Sequence, residues 1–191
     1  MTQTTLLIID MQQAFEKDAW GERNNPHAEE KALQVLQFFR KHKLPICHIQ
    51  HVSSNPCSLF YTKQGQAFKN RFEPIAGEII FQKTVNSAFI GTGLEQYLHE
   101  QKVSQLVIVG LTLPHCISTT TRMASNLGFK VTLLADATAS FSLPDRNGQL
   151  VHPDIIHNVN LISLQNEFAQ ILDTDKFLTY SQNNPLTLPR V

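Results

Sequence analysis

Short apolar runs alternate along the chain with stretches in which apolar residues recur every three or four positions. The runs are Thr5–Ile9, Leu44–Val52, Ile79–Gln82, Leu106–Gly110, Val131–Ala135 and Val159–Ser163, each of strand length. Between the first two, Ala32, Val35, Leu36 and Phe39 take the i, i+3, i+4, i+7 spacing of a buried helix face, with Asn25 as candidate cap and Pro26 at the first helical position. Thr92 and Glu95 read as a capping box for a helix whose stripe is Leu94, Tyr97 and Leu98. Ile117, Thr121 and Ala124 share one face of a helix that Gly128 would terminate. Strands alternating with helices predict one α/β domain, a three-layer sandwich with a mainly parallel six-stranded sheet and helices on both faces.

Three stretches fit no regular element: Ser53–Gly77, Ala139–Pro153 and the tail after Asp173. The first two follow strands, and loops at the carboxyl ends of parallel strands build pockets, so they are candidate walls or lids. The expected organisation is a domain over residues 1–173 and an extended arm over 174–191, with packing on another subunit one use for the arm. At 191 residues a single domain of ordinary size is the default.

Charge narrows the partners. Sixteen Lys+Arg balance sixteen Asp+Glu, so neither the cationic excess of a nucleic-acid binder nor a polybasic membrane surface is present. No apolar run is long enough for a membrane span, and the start of the chain lacks the basic region of a signal peptide. Cys47, Cys57 and Cys116 form no C-x-x-C, which points to a reducing cytoplasmic setting and at least one free thiol. A small-molecule substrate is the expected partner. Neither G-x-G-x-x-G nor G-x-x-x-x-G-K-[ST] occurs, so nucleotide-binding versions of the pattern lack their phosphate loops.

The chemistry-bearing residues stand at strand ends. Asp10 follows Leu6–Ile9, Lys83 follows Ile79–Gln82, and Cys116 lies just beyond Leu106–Gly110 at the mouth of a helix. A parallel sheet brings such positions to one edge. There a carboxylate can accept a thiol proton while an ammonium and a helix N-terminus favour the thiolate of a group whose ordinary pKa is about 8.5. Each residue also has a plainer reading. Asp10 with Gln13 resembles a capping box, lysines are usually solvated, and a lone cysteine, Cys47 above all, is often a small buried hydrophobe. His51 suits either a pocket wall or a sheet edge.

Taken jointly, Leu7-Ile8-Ile9-Asp10-Met11-Gln12-Gln13-Ala14-Phe15, Lys83-Thr84-Val85-Asn86-Ser87-Ala88-Phe89 and the segment from Gly110 to Arg122 resemble the three signatures of the isochorismatase-like cysteine hydrolases. They stand in the family's order, and the likeness runs to about Phe168-Ala169. The resemblance implies a Rossmann-like fold and a catalytic triad of Asp10, Lys83 and Cys116. It also implies an oxyanion hole from the backbone N–H groups of Thr112 and Cys116, and a non-proline cis peptide at Leu111–Thr112. Phe15, His51, Phe60, Tyr61, Asn86, Phe89 and His115 are candidate substrate-binding residues through their proximity to these signatures.

Two departures matter. Leu113 stands where the family's Gly-x-x-Thr-x-x-Cys has threonine, and Ile49-Gln50-His51 stands where nicotinamidase-type members carry the Asp-x-His of a metal site. No metal and no cofactor are therefore expected. The resemblance implies a metal-independent cysteine hydrolase of a small amide, carbamoyl or related C–N substrate, in a homo-oligomer, dimer or tetramer. The alternatives are an isochorismatase-type vinyl ether hydrolase, in which cysteine is commonly replaced, and a catalytically silent binding protein.

Overall fold

The computed structural model describes residues 3–183. In chain order its strands are β1 (Gln3–Ile9), β2 (Ile46–His51), β3 (Ile79–Lys83), β4 (Val103–Leu111), β5 (Lys130–Ala139), β6 (Leu143–Pro144), β7 (Leu150–Val151) and β8 (Gln170–Leu172). Its helices are α1 (Ala28–Lys41), α2 (Lys63–Gln66), α3 (Leu94–Glu100), α4 (Ser118–Asn126), α5 (Pro153–Leu164) and α6 (Thr174–Asn183). Six strands form one sheet in the order β3-β2-β1-β4-β5-β8, and every neighbouring pair is parallel. The fold class expected from the hydrophobic pattern is the one observed.

Successive residues of a strand face opposite sides of the sheet, and here both sides are buried. Leu6, Ile8, Val107 and Val109 pack with Ala32, Val35, Leu36 and Phe39 of α1 and with Phe177 of α6. Leu7, Ile9, Leu106 and Ile108 pack on the other face with Leu94 and Leu98 of α3, Ala124 of α4 and Leu164 of α5. Strand order reverses between β1 and β4, the place where open α/β sheets form their crevice. Gly110 makes that junction possible. Its φ is 132°, and a Cβ there would lie 2.0 Å from the Ile9 carbonyl oxygen, so only glycine lets β4 approach the end of β1 this closely.

Five sequence expectations are corrected. The stretches Ser53–Gly77 and Ala139–Pro153, expected to hold no regular element, carry helix α2 and strands β6 and β7, elements of two to four residues that are too short to leave a periodic signal. Val159–Ser163 is not a strand but part of α5; the sixth strand is β8. Pro153 opens α5, with His152 Nδ1 accepting from the Asp154 N–H, and Pro153, His157 and Leu164 turn inward. A five-residue segment with two β-branched residues, Val159 and Ile162, therefore belongs to a helix whose spacing shows only over a longer window. Asn25 does not cap α1. It takes a positive φ and its amide donates to the carbonyls of Ala135 and Thr138. Thr92 accepts from Leu94 N–H one residue ahead of a Gly93 cap, rather than forming the expected box. Residues 174–183 are not an extended arm but helix α6, capped by Asp136 through Thr174, with Phe177 stacked near Phe39. The arm's remaining residues, 184–191, lie outside the described residues. No helix of the described residues is long and apolar enough to cross a membrane.

Candidate active site

Lys83 ends β3, two strands from Asp10 at the end of β1. Strands lie about 4.8 Å apart, so that separation is about 10 Å, and a long side chain is needed to cross it. Lys83 Nζ crosses over the end of β2. It donates to Asp10 Oδ2 at 2.8 Å and to Cys116 Sγ at 3.2 Å, and lies 2.9 Å from His51 Nδ1. An ammonium has three protons and no lone pair, so these three acceptors satisfy it and place the His51 ring proton on Nε2. The Lys83 and Asp10 side chains are both wholly buried.

Asp10 has a φ of 53°, a left-handed conformation that aspartate tolerates better than most residues. Its N–H donates to the Ile49 carbonyl at 2.9 Å, tying it to β2. The second carboxylate oxygen, Oδ1, is buried with no hydrogen-bond partner. A buried acceptor is costly to leave unsatisfied, so this one is poised for a proton or a ligand donor. Gln12 braces the same edge: its Nε2 donates to the carbonyls of His51 and Gln66, both at 2.9 Å, and its Oε1 accepts from His51 N–H at 2.7 Å.

Cys116 sits in a wide π-type turn, Leu113–Ile117, that leads into α4. The Thr112 carbonyl accepts from the N–H groups of both His115 and Ile117, and the Leu111–Thr112 peptide is cis. Leu113 is fully buried in the apolar layer beneath, which explains why an apolar residue suits that position. The thiol is only 7% exposed. Burial, and then the Asp10 carboxylate, push its pKa above the ordinary thiol value, and the opposing pull of Lys83 does not offset them. The resting state is therefore a thiol facing a carboxylate, where the sequence alone led to a thiolate favoured by the ammonium. The nearest further acceptor is Asn86 Oδ1 at 3.7 Å.

Beside this turn lies a cavity of about 200 Å³ lined by Ala19, Trp20, Thr112, Pro114, His115, Phe141, Ser142 and Leu143. That is smaller than the roughly 300–1,000 Å³ of drug-sized pockets. An aromatic wall backs it: Phe15 to Trp20, Phe15 to Phe60 and Trp20 to Phe141 are 4.8, 5.3 and 5.4 Å apart between ring centroids. His115 lies 3.1 Å through Nδ1 from Thr112 Oγ1. Burial lowers its pKa, so no lining side chain is charged at neutral pH.

Residues 4–176 match the isochorismatase domain. The chain belongs to the isochorismatase family. It is 47% identical over 174 residues to the uncharacterized isochorismatase family protein YrdC of Bacillus subtilis, covering 91% of this chain and 93% of that one. A solved structure from Chromobacterium violaceum, described as a hydrolase of the isochorismatase family, superposes with a TM-score of 0.91 at 38% identity, covering 95% of this chain and 94% of that one. Nicotinamidase 3 of Arabidopsis thaliana is more distant, 26% identical over 185 residues, with 90% and 85% covered.

Set within the isochorismatase family, this chain departs from a metal-binding layout. Ligand atoms of Asp10, His51 and Cys116 lie within 4.8 Å of one another, but Lys83 Nζ sits against all three. The ammonium fills the position a cation would need, so these residues do not fit a metal ion while Lys83 is in place. Ile49, where a ligand would be required, is buried in the core.

The residues singled out from sequence separate into groups. Asp10, His51, Lys83, Asn86 and Cys116 converge; Thr112 and His115 border the cavity; Phe15 and Phe60 form its aromatic backing. Tyr61 is instead 47% exposed and outside the cavity lining; its backbone is held, by the Ser58 carbonyl and by Gln66 Nε2, and its ring faces solvent. Phe89 also lies outside that lining. It is buried near Phe129, ring centroids 6.1 Å apart, in the apolar layer of α3 and α4. Sequence reasoning missed Trp20 and Phe141. Trp20 stands in a short 3-10 turn, Asp18–Trp20, where no periodicity marks it. Its one signal was being the chain's single tryptophan, close after the Asp10 signature.

Proposed function

We propose that this protein is a cysteine-dependent hydrolase of a small, uncharged amide, carbamoyl or related C–N compound, acting through a covalent acyl-enzyme. The observation that carries this reading is the buried Asp10–Lys83–Cys116 constellation, with a carboxylate oxygen left unpartnered close to a protonated thiol. Cys116 Sγ attacks the substrate carbonyl carbon while the thiol proton passes to Asp10 Oδ1. The N–H groups of Thr112 and Cys116 receive the carbonyl oxygen as it becomes an oxyanion; removing one such donor typically costs roughly 100- to 1,000-fold in turnover. Asp10 then delivers its proton to the leaving nitrogen. The C–N bond breaks, and ammonia or an amine departs. Water, deprotonated by the regenerated carboxylate, attacks the thioester and releases the acid and the thiol.

Lys83 holds both reacting groups and stabilises negative charge as it moves from carboxylate to sulfur. The cavity supports the choice of substrate: its size, aromatic backing and lack of charge favour a small neutral molecule over an anion such as an isochorismate-like dicarboxylate. The test is an ammonia-release screen of small amides and ureas with wild type, Cys116→Ser and Asp10→Asn. Expected is turnover by wild type that falls by roughly 100- to 10,000-fold in Asp10→Asn and is lost in Cys116→Ser. Turnover undiminished in both variants overturns the triad. Cleavage of a vinyl ether that survives Cys116→Ala but not Asp10→Asn overturns the amide reading.

A further inference from the structure

One of the protons of Lys83 Nζ goes to a group outside the triad, His51 Nδ1 at 2.9 Å. His51 ends β2, which lies between the strands that carry Asp10 and Lys83, and it stands in register with Lys83. In-register neighbours of a parallel pair turn the same way, so the lysine passes the imidazole on its way to Asp10. The imidazole is fixed from two sides. Gln12, wholly buried, takes both backbone groups of His51: its Oε1 accepts from the N–H at 2.7 Å and its Nε2 donates to the carbonyl at 2.9 Å. The Phe60 ring packs 4.8 Å from the imidazole, centroid to centroid, and the Phe60 carbonyl is itself held by Ser53 N–H and Gln66 Nε2. A ring backed in this way presents one lone pair at one place. The charged or titratable groups facing it are Lys83 from β3, Asp10 from the end of β1 and Cys116 from the turn before α4; Gln12 and Phe60 bring no charge. Burial and then Lys83 lower the His51 pKa against the opposite pull of Asp10, so the ring is neutral at pH 7.

We propose that His51 is the positioning residue of this site: its neutral Nδ1 anchors the Lys83 ammonium against Asp10 and Cys116, and a proton taken up on Nδ1 dislodges Lys83 and stops turnover. The role rests on the hydrolase reading above. An ammonium has no lone pair, so a protonated ring sets two donors face to face at 2.9 Å with no acceptor between them. Lys83 must then swing away or give up its own proton, and in either case Asp10 and Cys116 lose the cation that holds them. A buried ammonium proton left without its acceptor is costly in the same way, so removing the imidazole loosens Lys83 at any pH. His51 acts through Lys83 and not on the scissile bond. Turnover is therefore full above the His51 pKa and falls as pH drops through it, at a value under the ordinary 6.5.

The test compares wild type, His51→Asn and His51→Leu. Asparagine puts an oxygen where Nδ1 stood and does not titrate; leucine offers no acceptor. With an amide that wild type turns over, kcat of His51→Leu at neutral pH is expected to fall by roughly 100-fold, well beyond any change in KM, and His51→Asn to recover most of that loss. The acid limb of the kcat profile is expected below pH 6.5 in wild type and lower by about one unit or more in His51→Asn. Nitrogen NMR of the imidazole, assigned by its loss in His51→Asn, needs no substrate: the ring proton is expected on Nε2, and the titration is expected to move up in Lys83→Met. A ring proton on Nδ1, a titration unmoved by Lys83→Met, or an acid limb that stays in place in His51→Asn overturns the proposal. The Nε2 tautomer and a shifted titration in a protein that hydrolyses no amide support the anchor and remove the hydrolase reading instead.

Discussion

Lys83→Met keeps a side chain of similar length, removes the ammonium and leaves Asp10 as a buried carboxylate without its ion-pair partner. Both side chains are fully buried in wild type, so the pair is not screened by water, and the lost partner is not replaced by solvent. Breaking a buried pair by removing one member typically costs about 3–5 kcal/mol. For a chain of this size about 1 kcal/mol corresponds to roughly 2–4 °C in Tm, so a fall of about 6–20 °C is expected. The decisive arm is the double variant Lys83→Met with Asp10→Asn. It removes both charges, and neutral replacement of a buried pair is often close to isoenergetic, so most of the stability should return although the enzyme is dead. Urea unfolding followed by circular dichroism, run as a double-mutant cycle, reads the coupling directly. A single variant within about 1 kcal/mol of wild type, or losses that simply add, would refute the claim that these charges depend on one another.

Three further outcomes follow from the geometry. Gly110→Ala forces a Cβ into the Ile9 backbone at a φ of 132°; overpacking and conformational strain together should cost about 2–6 kcal/mol, visible as a large drop in Tm. Burial lowers the pKa of His48, His51 and His157 from the ordinary 6.5. The unfolded chain therefore binds protons first. The stability contributed by neutral histidines is full above about pH 6.5 and is lost as pH falls from there through the lower folded values, at a slope of at most about 1.4 kcal/mol per pH unit for each group. Denaturant midpoints that do not move between pH 7 and 5 would contradict it. Finally, since burial and Asp10 hold Cys116 as a thiol, iodoacetamide at neutral pH should alkylate exposed Cys57 before Cys116. Cys47, whose pKa burial pushes up to about 12, should not react in the folded protein.

Slow alkylation of Cys116 is thus expected under the proposed mechanism, in which substrate draws the thiol proton toward Asp10. That point was out of reach of sequence, since the sign of a pKa shift depends on how deeply the group is buried and which neighbour lies nearer. What could be read was whatever repeats locally. The α1 face of Ala32, Val35, Leu36 and Phe39 is buried as its spacing demands. The strand-end positions of Asp10, Lys83 and Cys116 converge because a parallel sheet leaves no other arrangement for them. Val159–Ser163 misled because β-branched residues in a short window look the same in a strand and on the outward face of a helix. Asn25 misled because its amide found carbonyls more than a hundred residues away and so was not free to cap. Trp20 and Phe141 meet across the cavity from loops far apart in sequence, and no local pattern encodes such a meeting.

The covalent intermediate proposed on Cys116 is tested most directly by acid-quenched mass spectrometry of the enzyme mixed with an amide it turns over. The expected result is a mass increase equal to the acyl group, located by peptide mapping to the peptide bearing Cys116 and absent from Cys116→Ser. Turnover of that amide with unmodified protein at every quench time, undiminished in Cys116→Ser, would contradict it.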